Sequence, residues 1–149
     1  MNQENLEQAE RQLIRCSELE DEFTKVRNVK VGEHAGQDVY LHTVVCGDTN
    51  NPNKMAFVHG YGACSALFYK TYKYLAQHFC VHFIDIIGMA SSSRPLDYNI
   101  SKITPEESIA YFVDYIENWR KANDDLKDFV LVGHSFGGYL VGNYALKYP

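Results

Sequence analysis

Ser135 stands with a glycine two residues away on either side, in Gly133-His134-Ser135-Phe136-Gly137. A serine hydroxyl is a weak nucleophile until its surroundings activate it. To be attacked through, it must sit on a sharp, strained turn between a strand and a helix. A side chain two residues before or after it would collide across that turn, and glycine at 133 and 137 removes the collision. The helix that follows aims free backbone N–H groups and its positive dipole end at the same point, which favours a developing oxyanion. Gly138 lets that helix pack closely on the strand, for which Phe129 to Val132 supplies the apolar run. A tight glycine-rich turn with an incidental serine is the plainer alternative. A phosphate-cradling loop fits poorly, because no Gly-Lys-Ser/Thr follows and Gly133 to Gly138 does not match G-x-G-x-x-G.

A second signal lies upstream. His59-Gly60-Tyr61-Gly62 follows the apolar run Met55 to Val58. Acyl transfer needs two backbone N–H groups about 3 Å from the oxyanion. Phe136, after the nucleophile, supplies one and Tyr61 the other, with Gly60 and Gly62 letting the chain come close. His59 and His134 flank the two turns, and the His134 side chain is expected to point away from Ser135. This chemistry needs no metal and no cofactor, and none is expected. The four cysteines, Cys16, Cys46, Cys64 and Cys80, contain no C-x-x-C pair and read as reduced thiols of a cytoplasmic protein.

Elements able to position these residues follow from the hydropathy pattern. Residues 2 to about 22 read as an acidic helix, either a solvated extension or a docking segment. Val26 to Val31 and Val39 to Val45 read as a hairpin turning at Gly36. Short buried strands are expected at Met55 to Val58, Val81 to Asp85 and Phe129 to Val132. Helices are expected over Ser65 to Phe79, with Leu67, Phe68, Tyr72, Leu75 and Phe79 inward, from Thr104, and from about Gly137 to Lys147. Residues 86 to 103 read as a loop. Thr104-Pro105-Glu106-Glu107 is a capping box with proline at the first helical position. Strands alternating with helices make an α/β fold with a mostly parallel sheet, whose ligand site lies beyond the carboxyl ends of the strands. Both motifs stand there.

Composition agrees and excludes other classes. A chain of 149 residues, 46% hydrophobic and 22% charged, is one globular domain and not a disordered segment. Its net charge of −5 argues against nucleic acid as a partner. No apolar run reaches the length of a spanning helix, and the Asn, Gln and Glu of the first residues do not read as a secretory signal.

Taken together, these residues resemble the α/β-hydrolase superfamily from residue 26 onward. Asp85-Ile86-Ile87-Gly88, Ser92-Ser93-Arg94-Pro95, Ile116-Glu117-Asn118-Trp119-Arg120 and Tyr148-Pro149 resemble its eukaryotic lipid-metabolic branch. That branch holds a lipid-droplet lipase coactivator and a hydrolase of N-acyl phospholipids. It usually carries glycine two residues after Gly88, where this chain has Ala90. The resemblance implies a strand order 1-2-4-3-5, and a serine hydrolase of lipid acyl esters or amides with Ser135 as nucleophile. It also implies two alternatives: a non-catalytic lipase coactivator or lipid-surface binder, and a lysophospholipid acyltransferase. A lipid-droplet or membrane surface, or a lipase, is the partner it implies.

The triad of this fold runs Ser, then Asp or Glu, then His. None of the 14 residues after Ser135 is Asp, Glu or His. The expectation is therefore a helical extension over 1–25 and the N-terminal half of the hydrolase domain over 26–149. The fold would stop after the nucleophile turn and its helix, leave the strand Phe129 to Val132 as an open edge, and lack its C-terminal half.

Overall fold

A computed structural model describes residues 3–96, 98 and 102–149. The expectations at position 2 and, within the 86–103 loop, at 97 and 99–101 lie outside the described residues. After α1 (Gln3–Arg15), the strands β1 (Thr24–His34) and β2 (Gln37–Cys46) form the antiparallel hairpin. Its turn is Ala35-Gly36, with φ of 50° and 75°, the left-handed pair that a tight right-twisted hairpin requires. Then follow β3 (Lys54–Val58), α2 (Tyr69–Ala76), β4 (Cys80–Ile84), α3 (Pro105–Ala122), β5 (Phe129–Gly133) and α4 (Phe136–Lys147). The sheet order is β1-β2-β4-β3-β5, as expected. The pairs β3–β4 and β3–β5 are parallel and β2–β4 is antiparallel. β5 pairs only with β3 among the described residues, and Val130 on it is 47% exposed.

Alternation along the strands splits the core into two layers. Leu41, Ala56, Val58 and Ile84 face α3 and α4, where they meet Val113, Ile116, Trp119 and Leu140. Val44, Cys46, Met55, Val81 and Phe83 face the other way, onto Ile14 of α1 and Tyr72 of α2. All four cysteines are free.

Three expectations need correction. The first helix stops at Arg15 instead of running to 22; Glu18 turns left-handed (φ 57°) and a 3-10 turn at Asp21–Phe23 leads into β1. The helix over 65–79 is a 3-10 turn at Ser65–Phe68 followed by the short α2. The reason is an anchor: Ser65 gives both its N–H and its hydroxyl to Asp85 Oδ1, at 2.7 and 2.5 Å. Leu67, expected inward, is 57% exposed as a result of that local winding.

The acidic face of α1 is not simply solvated. Glu10 is buried against His42 of β2, with Nε2 2.9 and 3.0 Å from the two carboxylate oxygens. The other ring nitrogen lies 2.8 Å from Asn28 Oδ1. With a carboxylate at Nε2 and an amide oxygen at Nδ1, the surroundings favour the imidazolium. Burial opposes that charge, but the Glu10 carboxylate outweighs it and holds the His42 pKa above its ordinary value.

The Ile116-to-Arg120 segment fastens α3 in place. Trp119 Nε1 donates to Thr43 Oγ1 across the core (3.0 Å). Buried Glu117 accepts two bonds from Arg120 (2.8 and 2.9 Å) and one from the Tyr144 hydroxyl of α4 (2.7 Å). Arg120 in turn donates to Leu126 O and Asp125, closing the turn into β5.

Two pH-dependent outcomes follow. The Arg120 guanidinium, with help from Tyr144 and Lys121, lowers the Glu117 carboxyl to about 2. A depressed carboxylate contributes stability that is present above its unfolded pKa and lost as pH falls through the folded one. Glu117→Gln should therefore cost about 3 kcal/mol at pH 7, and the gap should close as pH falls from about 4.5 to 2. Urea unfolding followed by the single tryptophan, Trp119, measures it. The raised His42 pKa has the opposite sign: its contribution is complete below the unfolded value and fades as pH rises through the folded one. The backbone chemical shifts of α1 should move toward coil as pH rises through the His42 titration, and Glu10→Gln should remove that dependence.

Candidate active site

β5 runs straight into the turn that carries Ser135. The serine has φ 54° and ψ −118°, a conformation costing on the order of 1–3 kcal/mol for a non-glycine residue. It is exposed, and its hydroxyl has no hydrogen-bond partner among the described residues. α4 begins at the next residue, so the turn is as sharp as the sequence requires.

The glycines act largely as expected. A Cβ on Gly133 would overlap the Gly137 carbonyl and lie 2.5 Å from Gly138 N. A Cβ on Gly137 would overlap the carbonyl oxygens of Val58 and His59 at the end of β3. One on Gly138 would come within 3.2 Å of Gly133 O. On Gly60 it would be 3.1 Å from Ser135 Cβ and 3.2 Å from His134 Nδ1, so the upstream loop lies directly against the Ser135 turn. Gly62 differs from expectation. Nothing lies within 4 Å of its missing Cβ; what it supplies is a φ of +68°.

Tyr61 and Phe136 carry the two N–H groups assigned to the oxyanion. Neither group donates to a backbone carbonyl among the described residues, whereas Gly137 N bonds His134 O (2.9 Å) and Ala63 N bonds Gly60 O (3.2 Å). The Tyr61 side chain is 82% exposed, and exposed Leu67 stands one residue from Phe68. His134 is exposed and packs edge-on against Phe68, with ring centroids 5.5 Å apart.

A buried carboxylate supports this loop. Asp85, fully buried, accepts from Ser65 N and Oγ and from Ser91 N (3.1 Å). His59 lies beside it, also fully buried, with Nδ1 2.7 Å from Gly60 O and Nε2 accepting from Ile86 N (3.0 Å). Burial keeps His59 neutral, lowering its pKa. Both nitrogens are occupied, so His59 is a brace and not a base. His82 is the middle residue of β4 and packs against Arg27, Cys80 and Trp119. No histidine of the chain stands as base to Ser135 among these contacts, and the described residues hold no group of metal-ligating side chains.

The sequence motif at Ser92-Ser93 also acquires a physical role. Ser92 Oγ accepts from His42 N and donates to Asp85 O; Ser93 Oγ accepts from Tyr40 N. The loop thereby satisfies β2 where β4 has ended. Ala90 sits at φ 45°, a left-handed position that suits the glycine the resemblance implies there.

The contrast between two glycines of α4 tests the close approach. Gly137→Ala should destabilise the chain by more than about 3 kcal/mol, since carbonyls of β3 must shift. Gly142→Ala, with open space around its missing Cβ, should stabilise by about 0.5–1 kcal/mol through helix propensity. Paired thermal melts of the two variants measure both.

Known proteins share this arrangement. The family described as "alpha/beta hydrolase fold" matches residues 55–149. A probable 1-acylglycerol-3-phosphate O-acyltransferase of Oryza sativa subsp. japonica is 42% identical over 110 residues, 74% of this chain and 26% of the relative. The human (lyso)-N-acylphosphatidylethanolamine lipase is 29% identical over 144 residues, 97% of this chain and 39% of the relative. Among solved structures, a putative lipase of Acinetobacter baumannii superposes with a TM-score of 0.76 at 17% identity, over 97% of this chain and 42% of that one. The chain thus spans well under half the length of these relatives. No described helix is long and apolar enough to cross a membrane. With strand order, strained serine turn and matched residues in agreement, the chain belongs to the alpha/beta hydrolase fold family.

Proposed function

We propose that these residues carry the nucleophile and oxyanion site of a serine enzyme that hydrolyses acyl ester or amide bonds of lipids. The observation that carries this reading is Ser135: exposed, left-handed, and set 3.1 Å from where a Gly60 Cβ would stand. Its Oγ attacks the acyl carbonyl carbon while its proton passes to a base. The N–H groups of Tyr61 and Phe136 hold the oxyanion. Collapse returns the proton to the departing oxygen or nitrogen, breaks that bond and leaves an acyl-serine. Water then attacks the ester and releases the fatty acid. In this reading the base and its orienting acid lie outside the 149 residues, and residues 26–149 serve as half of the catalytic domain, with 1–25 as its extension. Exposed Tyr61, next to the Gly60 that lies against Ser135, suits an acyl chain.

A second reading replaces water with a lysophospholipid hydroxyl in the last step. The names of the rice relative and of an Arabidopsis thaliana relative, 43% identical over 110 residues, favour it. Both readings need the same acyl-serine.

An alkyl fluorophosphonate tests that shared step on the protein carrying these residues within its complete fold. The expected result is one adduct, on the peptide containing Ser135, absent from Ser135→Ala. The 149-residue chain alone should label several orders of magnitude more slowly, because the base is missing. A folded complete protein that takes no label would leave the non-catalytic coactivator reading in its place. Product analysis with a lysophosphatidate acceptor then separates free fatty acid from the doubly acylated product.

A further inference from the structure

Opposite Ser135, at the N-terminal ends of the parallel strands, lies a cavity of about 730 Å³ that the acyl chemistry does not use. Lys54 opens β3 and Cys80 opens β4, so the length of a five-residue strand, about 16 Å, separates it from the nucleophile turn. Lys25 and Arg27 of β1 line it from one side, and the loop from Asn123 to Asp128 closes the other.

Its charges are unevenly matched. Among the described residues none of Lys25, Arg27 and Lys54 has a carboxylate partner. Lys54 Nζ donates to Thr49 O (2.7 Å), and the Arg27 guanidinium donates to Asn123 Oδ1 and lies 3.3 Å from His82 Nδ1. On the far lip, Asp125 is already paired with Arg120 and Lys127. Asp124 and Asp128 remain, so the lining holds four cations against three carboxylates in a chain of net charge −5. The floor reports the same field. Buried His82 is driven down to about 4, by desolvation first and then by Arg27 and Lys54. As a neutral ring it accepts from Arg27 through Nδ1 and turns Nε2 toward Cys80 Sγ, 3.7 Å away.

Lys25, Arg27 and Lys54 line one concavity without a carboxylate partner among the described residues, beside a histidine that burial and two of these cations keep neutral, an arrangement suited to an anion. We propose that this cavity binds a phosphate-class oxyanion through Lys25, Arg27 and Lys54, independently of the serine site. The anion is either free phosphate or the monoester headgroup of an anionic lipid; both present the same oxygens.

Two reporters are built in. Trp119, the single tryptophan, stacks edge-on against His82 with ring centroids 5.5 Å apart, and His82 itself lines the cavity. Inorganic phosphate is titrated into the 149-residue chain at constant ionic strength, and separately vesicles of phosphatidate in phosphatidylcholine. The expected result is a saturable change in Trp119 fluorescence with one probe or both, which identifies the source. The His82 Cε1–H titration midpoint should move up from about 4 when the anion is bound, because it offsets the two cations. Lys25→Gln combined with Lys54→Gln, checked for native circular dichroism, should weaken the response about fivefold or more. A response equally strong in that double variant, or no saturable response to either probe, would overturn the proposal. Ser135→Ala should leave the titration unchanged, which separates this site from the acyl chemistry.

Discussion

The structure turns on a place where three stretches of backbone meet with no room for a side chain. The end of β3 touches the start of α4 at Gly137, the end of β5 touches it at Gly133, and the loop after β3 touches Ser135 at Gly60. His134 N also donates to Val58 O (3.0 Å), extending the β3–β5 pairing one residue past the strand. That contact fixes the register Val58 opposite Gly133, and so the height at which α4 leaves the sheet. The direction of α4 then requires α3 beside it, held by the Tyr144 hydroxyl on Glu117. Trp119 carries the same constraint through the core to Thr43 of β2. A left-handed serine costs on the order of 1–3 kcal/mol. It persists because every neighbouring element is placed by the same contact.

Asp85 does for the upstream loop what the glycines do for the turn. A fully buried carboxylate is costly unless hydrogen bonds replace its water. Ser65 and Ser91 supply those bonds, and in doing so they tie the loop after β3 to the loop after β4. His59 completes the frame as a neutral ring with both nitrogens engaged. The loop after β3 is therefore held rigidly beside Ser135, whose hydroxyl has no hydrogen-bond partner among the described residues.

Much of this was legible in the sequence because it rests on local rules. A β-run followed by G-x-S-x-G forces the turn, the capping box starts α3 where Thr104 predicts, and the alternating apolar runs give both the strands and their order by resemblance. What was not legible depends on partners distant in the chain. Glu10 on an acidic helix reads as solvated, and only His42, 32 residues away, makes it a buried anchor. Ser65 to Phe68 has helical periodicity, but Asp85 captures Ser65 and winds the segment into a 3-10 turn that turns Leu67 outward. Gly62 is ambiguous in sequence for another reason: an open left-handed turn and a tight approach both demand glycine.

Ala90 shows how the frame absorbs a local cost. Its left-handed backbone would favour glycine by about 1 kcal/mol. Arg94 Nη2 donates to Ala90 O at 2.7 Å, and the next residue, Ser91, gives its N–H to Asp85. Both bonds exist only while Ala90 holds that conformation, because reversing it would swing the carbonyl away from Arg94 and the Ser91 N–H away from the carboxylate. The Asp85 carboxylate would then lose a donor in a fully buried position, which costs more than the strain it relieves. Serine at 135 and alanine at 90 are thus two non-glycine residues held left-handed by the contacts around them, the first exposed and the second supporting the hydrogen-bonded frame.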